Sequence, residues 1–233
     1  GLEMRDGQCV YTEEERKLAK AKGGHSIGGL TQHAFENEGV YLGFGDIDGA
    51  HTLGPDSRHD VDLSSELIKD KLTLDFPIIS ANMTNVTGLD LAIEVESAGG
   101  LSVFPQAFKN SELEKYATAL KETEVTPLRF GNTKMEPTVD SDGNLLFYMA
   151  TGVNGTNFDL DFLKHMYESG LLDGVVADAA HGFIKPAMNR IYQIKNAIPD
   201  LPVIAGNIVS PVGTYALIKA GADMPKVGQG SSP

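Results

Sequence analysis

The stretch Gly174-Val175-Val176-Ala177-Asp178-Ala179-Ala180-His181-Gly182 decides the fold. It opens as a short continuous apolar run, ends on an aspartate, and then turns polar before a closing glycine. Continuous runs of this kind suit strands buried on both faces. The same design recurs at 77–81, 100–104, 145–150, 202–205 and 224–227. Helical patterns lie between these runs. Leu113, Tyr116, Ala117 and Leu120 repeat at i, i+3, i+4, i+7 behind a capping box, Ser111 with Glu114. Leu163, Met166 and Tyr167 form a second stripe that Gly170 is placed to stop. Pro186 suits a first helical turn, with Ile191, Ile194 and Ile198 on one face. Ser210-Pro211 opens a further helix and Gly221 closes it.

A strand–helix period near ~30 residues is the βα unit of a parallel sheet. One interval is too long by roughly twenty residues, more than a short connection needs. The excess, 123–144, carries Pro127, Gly131, Asn132, Pro137, Asp140, Asp142 and Gly143 and reads as an irregular insertion. Two architectures remain, an open doubly wound sheet and a TIM (β/α)8 barrel of which about six of eight βα units are present. A barrel wall cut after six strands leaves two open edges. The expectation is therefore an open fold or part of a larger polypeptide.

The 233 residues hold 19 Lys plus Arg against 32 Asp plus Glu, a net charge of −13. That balance excludes a phosphate-backbone binder, so no nucleic-acid partner is expected. No apolar stretch approaches a membrane span, so no membrane partner is expected either. A single cysteine, Cys9, excludes an internal disulfide framework, and Glu13, Glu14 and Glu15 near the start do not suit a secretory signal. A cytoplasmic setting follows as the expectation. Residues 1–38 read as a flexible N-terminal arm: a charged helical candidate at 12–22 capped by Thr12 and Glu15, then Gly23, Gly24, Gly28 and Gly29. His25 and His33 in this arm read as solvated loop residues. Residues 39–233 read as the domain built from the βα units, a partial (β/α)8 barrel with the 123–144 insertion.

Ligands of parallel α/β folds bind at the carboxyl ends of the strands, so the residues after each run are the candidates. Asp178 is placed to accept from a ribose diol or to cap the next helix. Asn82 and Asn207 suit a base edge, a carboxamide or a turn. Gly228-x-Gly230 suits an ion cradled by backbone groups. Met83 suits packing.

Taken together, these segments resemble the IMP dehydrogenase/GMP reductase family over about 40–233. The carriers are Asp60-Val61-Asp62-Leu63-Ser64, the run Pro77-Ile78-Ile79-Ser80-Ala81-Asn82-Met83-Thr84-Asn85-Val86-Thr87, and Ala98-Gly99-Gly100. To these are added Asp178-Ala179-Ala180-His181-Gly182, Leu201 through Val209, and Ala220-Gly221-Ala222-Asp223 with Lys226-Val227-Gly228-Gln229-Gly230. The resemblance implies a purine nucleotide oxidoreductase of barrel fold, acting at C2 of IMP or GMP with NAD or NADP through a covalent Cys intermediate. It implies substrate-binding positions at Ala81, Asn82 and Met83, and cofactor-binding positions at Asp178, Ala179, Ala180 and Asn207. It implies a monovalent cation (K+) at the Gly228 and Gly230 loop, and a homotetramer. The family's Cys would fall beyond Pro233, so no catalytic residue is assigned and the chain alone is expected to be inactive. Ala81-Asn82-Met83 is the GMP reductase form, whereas Asp178-Ala179-Ala180-His181-Gly182 leans toward IMP dehydrogenase. Pro105-Gln106 replaces the family's usual His or Lys, and no CBS domains interrupt the chain, the 123–144 insertion standing in their place. Other readings are an FMN-dependent or other phosphate-binding barrel enzyme, and a non-catalytic nucleotide-binding relative.

Overall fold

The computed structural model describes Glu3–Arg5, Gln8–Val10 and residues 62–130, 133–153 and 159–228. The expected helix at 12–22, the glycine arm and Gly230 lie outside these residues. Strands β1 (Glu3–Arg5) and β2 (Gln8–Val10) pair as an antiparallel hairpin. A second hairpin follows, β3 (Ser65–Ile68) with β4 (Leu72–Leu74). Then come α1 (Leu89–Ser97), β5 (Val103–Phe104) and α2 (Asn110–Lys121). A two-stranded ribbon, β6 (Arg129–Phe130) and β7 (Thr133–Lys134), precedes β8 (Tyr148–Gly152) and α3 (Leu160–Glu168). The chain continues through β9 (Gly174–Asp178), α4 (Lys185–Ala197), β10 (Val203–Ile208), α5 (Pro211–Ala220) and β11 (Met224–Val227).

The main sheet is parallel, with order β11-β10-β9-β8-β5. A parallel bridge from Ile79 to Leu101 sets the 77–81 run beside the β5 segment. All six apolar runs thus stand side by side in chain order. Helices α1 to α5 all contribute to one buried cluster on one side of the sheet, through Ala92, Leu113, Leu163, Ile191 and Leu217 among others. A doubly wound sheet reverses its strand order and carries helices on both faces. Sequential order with helices on one side is instead the winding of a (β/α)8 barrel wall, and the fold is compatible with that architecture.

The other face is lined in rows set by the strand register. Val103, Tyr148 and Gly174 are paired neighbours in the lowest row. Ala150, Val176, Ile204 and Met224 form the next. Alternation along a strand puts every second residue on the same face, so Gly152, Asp178, Gly206 and Lys226 form the row above. The hairpin β3–β4 covers the amino end of this face, burying Ile68, Leu72 and Leu74 against Leu101, Leu146 and Tyr148. Lys71 Nζ, on its turn, donates to Asp200 O just before β10 at 2.8 Å.

Caps follow the sequence with one shift. Ser210 Oγ accepts from Gly213 N at 3.1 Å, and Gly221 ends α5 at φ 111°, in the left-handed region where a Cβ is costly. Asp159 Oδ1 accepts from Phe162 N at the start of α3. The cap expected at Ser111 and Glu114 falls two residues earlier and is one-sided: Lys109 N donates to Glu112 Oε2 at 2.9 Å, and the lysine side chain has no acceptor to return the bond. Within 123–144 the chain is less irregular than expected, because β6 and β7 pair there and Val139 bridges Leu145.

The amino end also holds a polar cluster. Lys121 Nζ reaches Asp140 at 2.7 Å and Asp173 at 2.8 Å. Burial works against the Lys121 charge, but the two carboxylates outweigh it and hold its pKa above the ordinary lysine value. Glu96 is fully buried and accepts from Ser102 N and Ser102 Oγ. Its burial pushes the carboxyl well above the usual range, outweighing those two bonds.

Candidate functional site

The carboxyl end of the sheet is where the polar residues converge. Asp178 ends β9 on the inner face, and both its carboxylate oxygens are engaged. Lys226 Nζ of β11 meets Oδ1 at 2.8 Å, and Asn82 Nδ2, from the loop after the first strand run, donates to Oδ2 at 3.1 Å. Residues from the first, fourth and sixth strand positions therefore meet on one side chain. In a flat sheet the first and fourth strands stand about 14 Å apart, three spacings of ~4.8 Å. The loop after the first run and the Asp178 side chain together close that gap, a contact that a sheet curled around its inner face favours.

Lys226 is two strands away from Asp178, and the strand between them presents Gly206 in register with both. A Cβ at Gly206 would stand 2.7 Å from Lys226 Cβ. The glycine therefore lets the lysine stem cross β10 to its partner. On the other flank Asp178 pairs with Gly152, where a Cβ would collide with the Gln106 amide. The aspartate thus stands between two glycines, so its direct neighbours in the row add no side chain of their own.

The loop that carries Asn82 is built on two hydroxyls. Thr87 Oγ1 donates to Ala81 O at 2.6 Å and lies 2.8 Å from Ser80 Oγ, which accepts from Val103 N. Thr87 is fully buried, whereas Ala81 and Met83 are exposed at the mouth and Asn82 is half-buried. The loop after β9 is stitched to the end of β10 by Ala179 N to Gly206 O, Asn207 N to Ala179 O and Gly182 N to Asn207 O, at 2.8, 2.7 and 2.6 Å. Ala179 is buried in this seam, Asn207 is half-buried, and Ala180 and His181 are exposed. Gly228 adopts φ 113° and donates to Ile208 O at 2.7 Å, turning the chain at the same end. No group of three metal-ligating side chains occurs among the described residues.

The structure thus gathers Asn82 and Asp178 directly and sets Asn207 near the end of β10, with Ala179 and Gly228 just past β9 and β11. Sequence reading assigned no role to Lys226, Gly206 or Gly152. The available signal was a lysine inside the run Met224-Pro225-Lys226-Val227, where period-2 alternation puts a charge on an inner face.

A parallel α/β protein with side chains converging at the strand carboxyl ends belongs to the class that binds and transforms small ligands there. A family model described as IMP dehydrogenase / GMP reductase domain matches residues 51–232. The chain belongs to the IMP dehydrogenase/GMP reductase family, oxidoreductases of purine metabolism. It is 38% identical over 91 residues to inosine-5'-monophosphate dehydrogenase of Bacillus subtilis, 39% of this chain and 18% of that protein. It is 45% identical over 71 residues to inosine-5'-monophosphate dehydrogenase of Aquifex aeolicus, 30% of this chain and 14% of that one. It is 39% identical over 90 residues to GMP reductase of Staphylococcus carnosus, 38% of this chain and 27% of that one. The matched part is a minor fraction of each relative's length. No described helix is long and apolar enough to cross a membrane.

Proposed function

We propose that these residues form the nucleotide-binding wall of a purine nucleotide oxidoreductase acting at C2 of IMP or GMP. The observation that carries the reading is the meeting of Asn82 and Lys226 on Asp178, at the strand ends of a chain of this family. A carboxylate has about four acceptor positions, and Asn82 and Lys226 use two. The remaining lone pairs of Asp178 fit a ribose diol, and the half-buried Asn207, which follows the Gly206 paired with Asp178, fits a carboxamide. Ala81 and Met83, exposed next to Asn82, give an apolar rest for a purine.

Asp178, Ala179, Ala180 and Asn207 would hold NAD or NADP here, whose nicotinamide would supply the hydride acceptor or donor for C2. The chain's own residues hold the ribose through Asp178, offer the base an edge through Asn82, and fix the two loops by the Ala179–Asn207 seam. The reading requires a thiol nucleophile presented to the same mouth, which divides the reaction into two easier steps. Either the hydride leaves and water releases XMP, or ammonia leaves and an arriving hydride gives IMP. Gly228, with Gly230, serves a monovalent cation in this reading, and the assembly is a cytoplasmic homotetramer. The wall belongs to a (β/α)8 barrel of which six units are these strands. Exposed apolar residues at both sheet edges, Ile78 and Ile79 on one and Val227 on the other, support that completion.

Full-length protein incubated with IMP plus NAD, and with GMP plus NADPH, is expected to change the absorbance of the reduced nicotinamide in one of the two mixtures. No change in either overturns the reading.

A further inference from the structure

The mouth contains a built ion pair that the ligand contacts above do not explain. Lys226 buries its stem over Gly206 to reach Asp178, although its ammonium stands at an end of the sheet open to water. A surface lysine gains little from such a pair, because solvent screening and lost side-chain freedom offset the attraction. Here the geometry is prepared on all sides. Gly206 clears the path, Asn82 fixes the second carboxylate oxygen, and on the other flank Gly152 adds no side chain, the Gln106 amide lying where one would stand. The side chains of Asp178 and Lys226 are 26% and 37% exposed, so the pair is partly shielded and still reachable.

We infer that Lys226 is a positioning residue for Asp178. It holds the carboxylate in one orientation, with its free lone pairs turned to the mouth, so that a vicinal diol meets an acceptor already aimed. The inference rests on reading Asp178 as the acceptor of a ribose diol. Pre-orientation lowers the ordering cost of binding and favours ligands that have both hydroxyls. Lys226 thereby sets the discrimination between a ribose ligand and its deoxy counterpart, without touching the ligand.

The test measures dissociation constants of NAD, and of NAD lacking the nicotinamide-ribose 3′-hydroxyl, for the full-length protein. Wild type, Asp178→Ala, Lys226→Met and Lys226→Arg are compared, each with its melting temperature. Wild type is expected to prefer NAD, and Asp178→Ala to lose that preference. Lys226→Met is expected to reduce the preference about tenfold by weakening NAD while leaving the deoxy ligand nearly unchanged, the size of a charge-assisted contact. Lys226→Arg is expected to restore most of it. If Asp178→Ala keeps the preference, the ribose reading itself fails. If Asp178→Ala loses it and Lys226→Met keeps it, that reading stands and the positioning role is overturned. An equal weakening of both ligands by Lys226→Met also overturns it, as does failure of Lys226→Arg to recover the preference in a protein that melts like wild type.

Discussion

Gly174 supports the ring of Tyr148, and replacing it tests how the inner face is packed. The two are register partners on β9 and β8, on the face opposite the helices. A Cβ built at Gly174 falls within 2.7 Å of three ring atoms of Tyr148, Cδ1, Cε1 and Cζ. Carbon atoms in contact prefer about 3.5–4.0 Å, so relief requires the ring or the strand to move by roughly an ångström. The ring is 1% exposed and packs in the cluster that includes Leu101, Leu146 and Ala150, so it has nowhere to go. Overpacking of this kind costs about 1–3 kcal/mol, and the overlap here points to the upper end, ~3 kcal/mol, for Gly174→Ala. In a Tyr148→Ala background the obstacle is gone. The same substitution should then cost nothing or stabilise by up to ~1 kcal/mol, because alanine orders more cheaply than glycine in a strand. Urea unfolding of the four proteins of the cycle gives the coupling directly. An equal penalty in both backgrounds refutes the packing argument. The strand matters for the site as well, because β9 carries Asp178 at its other end.

Two further perturbations follow from the buried polar groups. Glu96 keeps its proton well above the ordinary carboxyl range because of burial, so the folded state holds a proton that the unfolded chain has released. Its contribution to stability is complete below the unfolded value and drains away as pH rises toward the folded value, at up to about 1.4 kcal/mol per pH unit. Glu96→Gln removes that slope and should raise the urea midpoint at pH 7 relative to wild type while giving no gain at pH 4; parallel pH profiles would contradict this. Thr87→Val removes the hydrogen bonds to Ala81 O and Ser80 Oγ, which keep Met83 N and Val103 N as partners, and should cost about 1 kcal/mol. It should also weaken IMP or GMP binding through Asn82; an unchanged affinity in a destabilised protein separates the loop from the ligand.

Much of the scaffold was legible because most strands and helices bury residues of one kind. The stripes at Leu113–Leu120 and Ile191–Ile198 end up buried where their spacing put them. Helix α1 escaped because its buried side includes Glu96 and Ser97, which break an apolar pattern. Hairpin β3–β4 escaped because its signal, Ile68, Leu72 and Leu74, is too short to separate from a loop. The 77–81 run reads as a two-sided buried strand, yet Ile78 and Ile79 are exposed, and the run is held to the sheet through Leu101, whose N donates to Ile78 O and whose O accepts from Ser80 N. Asp178 and Asn82 were legible as strand-end residues. Their meeting was not, because it depends on how the loop after the first run reaches across the strand ends, which spacing does not encode.

The two ends of the sheet carry different kinds of polar group. At one end Lys121, Asp140, Asp173 and Glu96 are locked into the body; at the other Asp178, Lys226 and Asn82 stand where a solute can reach them. Directed evolution can therefore treat this molecule as two separate workshops: libraries drawn from the first set act on heat tolerance, and those from the second on ligand choice, with little cross-talk across the length of a strand.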